Sequence, residues 1–266
     1  MLRLRRIAVR ALLLTAASVV APLAARAQTD EIQVYDASIA EVGVFNITWH
    51  NNFTPDGLKV GAFPGAIIPN HSLNGVPEWA LGVTPWFEAG LYLPLYSVSE
   101  GRGSTLNGFK FRMLFVSPHA DQRTFFFGMN FEFSYNAKYW DTHRATSEIR
   151  PIFGWHLHPW DIIINPILDN TWTGGVRGLD FAPEMRLAYN FPRSTYAIAA
   201  EEYDDYGVIR DFYTPSQQSH QLFAVFDHTS KIVDVEAGIG FGLNNATDKI
   251  TLKLILSRDL NKPPKN

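Results

Sequence analysis

The chain has 266 residues, with 23 basic and 26 acidic side chains and no cysteine. This length allows one large domain or two small ones. The absence of cysteine excludes disulfides, metal thiolates and a cysteine nucleophile. The acidic balance argues against nucleic acid as a partner.

The first 27 residues have the layout of a secretory signal peptide. Four arginines open the segment, an apolar run follows from Ala11 to Ala21, and Ala25 and Ala27 occupy the two positions that a signal peptidase reads. The apolar run is shorter than the roughly 20 residues that span a bilayer, which argues against a membrane anchor. We predict residues 1–27 to be a signal peptide, cleaved before Gln28. Cleavage removes five of the 23 basic residues, so 18 remain against 26 acidic ones and the net charge changes from −3 to −8.

The rest of the chain alternates apolar and polar residues with a period of two, which indicates β-strands. In the clearest case, RTFFFGMNFEFSYN at Arg123–Asn136, one phase is wholly apolar or aromatic and the other carries Glu132. No later segment has 18 consecutive apolar residues, so no transmembrane helix is predicted. Twelve strand segments are predicted, at Glu41–His50, Glu78–Thr84, Phe87–Ser97, Leu106–Ser117, Arg123–Asn136, Ser147–Leu157, Trp160–Asp169, Gly178–Phe191, Thr195–Tyr203, Ser219–Asp227, Lys231–Leu243 and Lys249–Leu260.

The connections between these segments alternate in length. Those after even-numbered segments are short, such as Thr84–Trp86, whereas those after odd-numbered segments are mostly longer, such as Asn51–Pro77 and Asp204–Gln218. An even number of strands with short turns on one side and longer loops on the other is typical of bacterial outer-membrane barrels. A bilayer core offers no water to unpaired backbone groups, so a chain without transmembrane helices crosses it only as a closed sheet. We therefore predict an all-β fold, with residues 28–266 forming one transmembrane up-and-down antiparallel β-barrel of about 12 strands.

A soluble β-sandwich or barrel would alternate in the same way, because periodicity alone does not tell which face is inside. Two features favour a barrel in the outer membrane of a Gram-negative bacterium, in contact with its lipid. The polar phase is rich in small residues as well as charges, as in a crowded lumen. Tryptophan and tyrosine gather near predicted strand ends, as interfacial girdles require, at Trp49, Trp79, Trp86, Trp140, Trp155, Trp160, Tyr135 and Tyr139.

One hairpin carries a family resemblance. Leu81–Pro94 reads LGVTPWFEAGLYLP, in which Thr84 and Pro85 suit a tight turn and Glu88 returns to the polar phase. It resembles the G-(V/L)-T-(D/P)-x-(F/L)-E-x-G hairpin of the outer-membrane transporter family associated with the meta-pathway of phenol degradation. That resemblance implies an outer-membrane barrel and passage of small molecules, including aromatic or hydrophobic ones. It extends over about 14 residues, with the general strand rhythm beyond them.

Charged residues of the polar phase are the candidate lumen lining. Mixed signs allow two interpretations, namely a polar pore that selects solutes by its field or an ion-pair network that fills a narrow barrel. Twelve strands lie between side-chain-filled and aqueous barrel sizes, so both interpretations stay open. The candidates are Glu88, Glu132, Glu148, Arg150, Asp180, Glu184, Arg186, Glu201, Asp234 and Glu236.

Other functions have weaker signals. His156 and His158 share a strand phase and are weak metal candidates, but no third ligand can be named, so neither a metal nor a cofactor is predicted. A lipid-modifying enzyme would need a Ser–His pair on the outer wall. Ser219-His220 and the Ser117/His119 pair lack any nucleophile motif, so no catalytic residue is predicted. Loop-mediated binding, for example by Glu201–Tyr206, is a further alternative, and the oligomeric state is not predicted.

Overall fold

A computed structural model describes residues 31–172 and 178–263, so the predicted signal peptide lies outside the described residues. Within this part, no helix is long and apolar enough to cross a membrane. The strands, in chain order, are β1 (Phe45–Asp56), β2 (Ser72–Thr84), β3 (Phe87–Ser99), β4 (Gly103–Val116), β5 (Phe125–Asn136), β6 (Ala145–Leu157), β7 (Trp160–Asn170), β8 (Leu179–Asn190), β9 (Tyr196–Asp205), β10 (Gly207–Val208), β11 (Ser219–His228), β12 (Asp234–Gly242) and β13 (Ile250–Asp259).

The strands form one closed antiparallel barrel. Neighbours in sequence pair from β1 to β8, β13 returns to pair with β1, and pairing of β8 with β9 closes the sheet. The two-residue strand β10 pairs with the part of β8 that lies beyond β9. The described residues thus contain twelve long strands, which confirms the predicted 12-stranded all-β barrel.

The two ends of the barrel differ. One end, here called the short-turn end, carries the turns 85–86 and 158–159 together with the start of β1 and the end of β13. The opposite end, here called the loop end, carries the connections 57–71 and 206–218. The alternation is less regular than predicted, because only Glu100–Arg102 separates β3 from β4.

The first predicted loop was too long. The structure continues β1 to Asp56 and begins β2 at Ser72, so only residues 57–71 connect them. Asn51, Asn52 and Gly75 had indicated a loop because they are poor strand formers. In the barrel they pair across β1 and β2. Asn52 lies on the enclosed face, whereas Asn51 lies on the outer face and accepts a hydrogen bond from the Tyr96 hydroxyl at 2.7 Å. A Cβ atom on Gly75 would meet that same hydroxyl. Propensity was overridden here by strand pairing in the closed barrel.

The outer wall is apolar and the enclosed face is polar. On β5, Phe127 and Tyr135 are 53% and 50% exposed, whereas Asn130 and Glu132 are 0% and 2% exposed. Trp49, Trp86 and Trp160 are also exposed on the outer surface. Trp140, assigned to the girdle from sequence, is instead buried against Ile67 and its neighbours at the loop end, so that assignment was wrong.

Glycines on the enclosed face make room for aromatic rings. A Cβ atom on Gly154 would overlap the fully buried ring of Phe126, and one on Gly240 would overlap the ring of Phe223. Overpacking a filled core costs about 1–3 kcal/mol. We therefore expect Gly154→Ala to lower the free energy of unfolding by about this amount in denaturant titrations followed by tryptophan fluorescence.

Replacing Phe126, whose ring meets the new methyl group, by a smaller side chain provides the control for this prediction. Gly154→Ala should cost less stability in a Phe126→Leu background than in the unmodified protein, because the smaller side chain leaves room for the methyl group. Equal stability of Gly154→Ala and the unmodified protein would contradict the prediction.

Candidate functional site

The lumen contains an N-terminal segment, Glu31–Ala40, that the sequence did not predict there. Its apolar side chains are buried against the inner wall. Val34 and Tyr35 pack with Phe126 and its neighbours, and Ile32 packs with Phe223. The segment therefore supplies a core to a barrel whose own inner face is largely polar.

Polar wall residues hold the backbone of this segment. Asn165 binds Tyr35 twice, accepting from its N–H at 2.7 Å and donating to its carbonyl oxygen at 3.0 Å. Arg150 donates to the carbonyl oxygen of Gln33 at 2.7 Å. Near the short-turn end, the N–H of Ala40 donates to Glu88 at 2.6 Å. The segment thus runs along the lumen, and polar and charged wall residues satisfy backbone groups that no strand pairs.

Tyr35 is the central side chain of the segment. Its hydroxyl shares a hydrogen bond with the hydroxyl of Tyr92 and donates to Glu132 at 3.3 Å. The Arg150 guanidinium lies 4.4 Å from the ring centroid and that of Arg112 lies 5.6 Å from it. Such cation–π contacts strengthen when the charge is desolvated, as it is here.

Two ion-pair groups line the wall around the segment. In the first, Arg112 binds both Glu88 and Glu78, the latter at 2.6 Å. In the second, Arg150 binds Glu148 at 2.7 Å and Glu184 at 3.1 Å. Each arginine is buried, and each is shared between two carboxylates. Paired in this way, the charges meet the requirement that buried ions have partners.

A third group spans β8 to β13. Lys253 binds Glu201 and, at 2.6 Å, Glu236, and Arg186 binds Glu201 and Asp227. Lys253 also donates to the carbonyl oxygen of Ile32 at 3.4 Å, which ties this group to the N-terminal segment. With the other two groups, it fills the lumen around the segment.

A cavity of about 1030 Å³ occupies the loop-end part of the lumen. Glu31 and Ile32 of the N-terminal segment border it, and residues of the 57–71 and 206–218 connections border it on the loop side. Carboxylates from β5 to β8 contribute to its wall. The lumen is therefore open toward the loops and filled toward the short turns.

The structure places nine of the ten sequence candidates on the enclosed face. Glu88, Glu132, Glu148, Arg150, Glu184, Arg186, Glu201 and Glu236 take part in the ion pairs of the wall. Asp180 borders the cavity. Asp234 is instead exposed at the start of β12, where it accepts from the N–H of Ser230 in the preceding turn. The part that these residues play in passage stays a prediction.

Sequence reasoning missed several buried polar residues of the lumen. Lys253 and Arg112 were not among the predicted lumen residues, although both are central to ion-pair groups. Asn165 was missed because a single asparagine in the largely apolar strand Trp160–Asn170 gives no indication from sequence that it binds another segment. The alternation of the strand could have revealed it, because Asn165 lies on the same strand face as Asp169, which is the enclosed face.

The two weak metal candidates, His156 and His158, lie in different environments. His156 binds Asp161 at 2.7 Å and packs on the ring of Phe126, whereas His158 is exposed in the turn after β6. Across the described ranges, no group of three or more histidine, aspartate or glutamate side chains is arranged to hold a metal ion.

An acid–histidine pair lies on the outer wall near the loop end. His220 binds Asp204 at 2.7 Å, and Tyr206 donates to the same carboxylate at 3.2 Å. A hydrolase would need a serine hydroxyl at the other imidazole nitrogen. Within the described chain, the side-chain hydrogen bond of His220 is to Asp204, and the hydroxyl of Ser219 binds Thr247 instead. The contacts present do not assemble a nucleophile.

Comparison with solved structures gives the same architecture. The chain is similar to the COG4313 outer membrane channel from Pseudomonas putida F1, with a TM-score of 0.54 and 12% identity over 86% of this chain and 100% of that one. A weaker likeness, with a TM-score of 0.45, is to the translocator domain of the autotransporter NalP from Neisseria meningitidis, at 9% identity over 82% of this chain and 88% of that one. The fold is that of an outer-membrane barrel.

Sequence comparisons add no family. No family model matches the chain, and no curated protein matches it. The resemblance of Leu81–Pro94 to the phenol-pathway transporters therefore stays a prediction. The hairpin itself forms as predicted, with β2 and β3 joined at Pro85 and Trp86.

Proposed function

We propose that this protein resides in the bacterial outer membrane and lets small molecules pass through its lumen. The observation that carries the proposal is a cavity of about 1030 Å³ inside a closed barrel whose outer wall is apolar. The exposed aromatic side chains suit lipid, and the enclosed charges suit a solute path. Export would require the signal peptide predicted over residues 1–27.

The N-terminal segment is the gate of this channel in our proposal. Glu31–Ala40 fills the lumen between the cavity and the short-turn end, where Ala40 binds Glu88. Passage therefore requires that the segment move. Its anchors are the apolar contacts of Ile32, Val34 and Tyr35 together with hydrogen bonds that can exchange for water. The phenol-pathway resemblance of Leu81–Pro94 supports aromatic or hydrophobic molecules among the solutes.

Solute uptake by proteoliposomes tests the proposal. The refolded protein, reconstituted in liposomes, should increase the swelling rate in isotonic arabinose and in phenylalanine, which is aromatic and crosses lipid slowly. Heat-modifiable migration in gels verifies that the barrel is folded. Folded and inserted protein that gives no swelling with either solute, even without residues 31–40, would refute a channel.

A further inference from the structure

The cavity wall carries a row of carboxylates on adjacent strands. Glu132 on β5 pairs in register with Glu148 on β6, Glu148 with Asp169 on β7, and Asp169 with Asp180 on β8. Side chains directly opposite one another on neighbouring strands have Cβ atoms about 4.5–5.5 Å apart. Four like charges are therefore held side by side, an arrangement that destabilises a sheet unless cations compensate it.

The described cations compensate only part of this row. Lys110 binds Glu132 at 3.4 Å, and the Arg150 guanidinium uses its donors on Glu148 and Glu184. Asp169 and Asp180 form no ion pair and no side-chain hydrogen bond with any residue that the structure describes. One carboxylate oxygen of Asp180, Oδ1, is also inaccessible to solvent.

A second observation comes from the N-terminal segment rather than from the wall. Glu31 is only 7% exposed, borders the same cavity, and has one carboxylate oxygen, Oε1, that is buried without a hydrogen-bond partner. Burying an unpaired carboxylate oxygen is costly. A cationic ligand in the cavity would supply a counter-charge to Glu31, Asp169 and Asp180, which all border it.

The geometry points to an organic cation rather than a metal ion. The described carboxylates are not grouped tightly enough to chelate a metal. Aromatic rings also border the cavity, including Tyr203 and Tyr213. Carboxylates spread over a wide wall beside aromatic faces fit a charged head on an apolar body, since ammonium groups bind both.

We propose that the loop-end cavity binds small organic ammonium compounds, with Asp169, Asp180 and Glu31 as the recognising charges. The inference rests on the proposed function, because it names the class of solute that would enter the channel from the loop end. A preference for cations would act in the loop-end cavity beside Glu31, before the solute reaches the N-terminal segment that we propose as the gate.

Binding of choline to the full refolded protein in detergent tests this inference. The neutral reference is 3,3-dimethylbutan-1-ol, in which carbon replaces the quaternary nitrogen. Saturation-transfer NMR titrations at constant ionic strength should show choline bound at least about tenfold more tightly than its neutral isostere, since only choline has a charge for the carboxylates. Equal affinities, or binding of neither compound, would overturn the inference.

Matched variants locate the site. Asp169→Asn/Asp180→Asn should weaken choline binding about tenfold or more and leave the neutral compound unaffected. Glu100→Gln/Asp121→Asn removes the same number of charges from exposed positions outside the cavity and should change neither. The first variant relieves like-charge repulsion, so it should fold at least as stably as the unmodified protein, which heat-modifiable migration checks. Unchanged choline binding in the folded first variant would contradict the assignment.

The same titration separates this inference from the channel itself, because binding in detergent does not require passage. Choline binding with no liposome swelling, even after deletion of residues 31–40, would support the cation site and refute the channel. Arabinose swelling without preferential choline binding would support the channel and overturn the cation site.

Discussion

Deleting residues 31–40 should convert a mostly closed barrel into one that conducts steadily in planar lipid bilayers. The deletion removes Val34 and Tyr35 from the packed lumen and exposes to water the wall residues that they contact. The barrel wall keeps its complete ladder of strand pairs, so folding should survive. We expect single-channel steps of constant size from the deletion variant and rare, brief openings from the full chain.

A single substitution tests the same gate with less disruption. Tyr35→Ala removes hydrogen bonds to Tyr92 and Glu132 and the ring beneath Arg150. A loss of about 2 kcal/mol from the closed state would raise the ratio of open to closed channels about 30-fold. Asp36→Ala is the matched control, because Asp36 is exposed and its carboxylate accepts a hydrogen bond from the N–H of Ser38 in its own segment. Equal open probabilities for the two variants would show that the segment is not the gate.

Period-two patterning was sufficient to predict the barrel, because burial of one strand phase is a local and repeated signal. The stripe Arg123–Asn136 shows this well, since its aromatic phase faces outward and Glu132 faces inward as predicted. Strand ends were less predictable. Asn51, Asn52 and Gly75 are strand residues because β1 pairs with β2 in the closed barrel, and no local rule contains that information.

The N-terminal segment could not be predicted in the same way. Glu31–Ala40 forms no strand pairs, and its burial depends on the shape of a lumen that exists only after the barrel closes. Its anchors come from distant positions, such as Asn165 and Arg150. Of the two interpretations that the sequence left open, the ion-pair network is present in the lumen, and the cavity at the loop end leaves room for the polar pore that we propose.

Lys253→Met should be among the most destabilising single substitutions in the barrel. Lys253 and Glu201 are both fully buried, and Lys253 also binds Glu236 at 2.6 Å. Without Lys253, the three carboxylates of this group share Arg186 alone among the described cations that bind them. Breaking a buried ion pair in this way costs about 3–5 kcal/mol. Reversible unfolding in urea from detergent micelles or liposomes, followed by tryptophan fluorescence, should show a loss of this size.

The control for this prediction is another lysine at the start of the same strand. Lys249 is 73% exposed in its side chain and lies 3.8 Å from Asp56. Exposed pairs contribute little, so Lys249→Met should lower the free energy of unfolding by less than about 1 kcal/mol. The double variant Lys253→Met/Glu201→Gln should be more stable than Lys253→Met alone, because it removes the orphaned charge. If both lysine variants lost the same small amount, the buried ion pairs would not be what holds the filled part of the lumen together, and its stability would have to come from the apolar contacts of Ile32, Val34 and Tyr35.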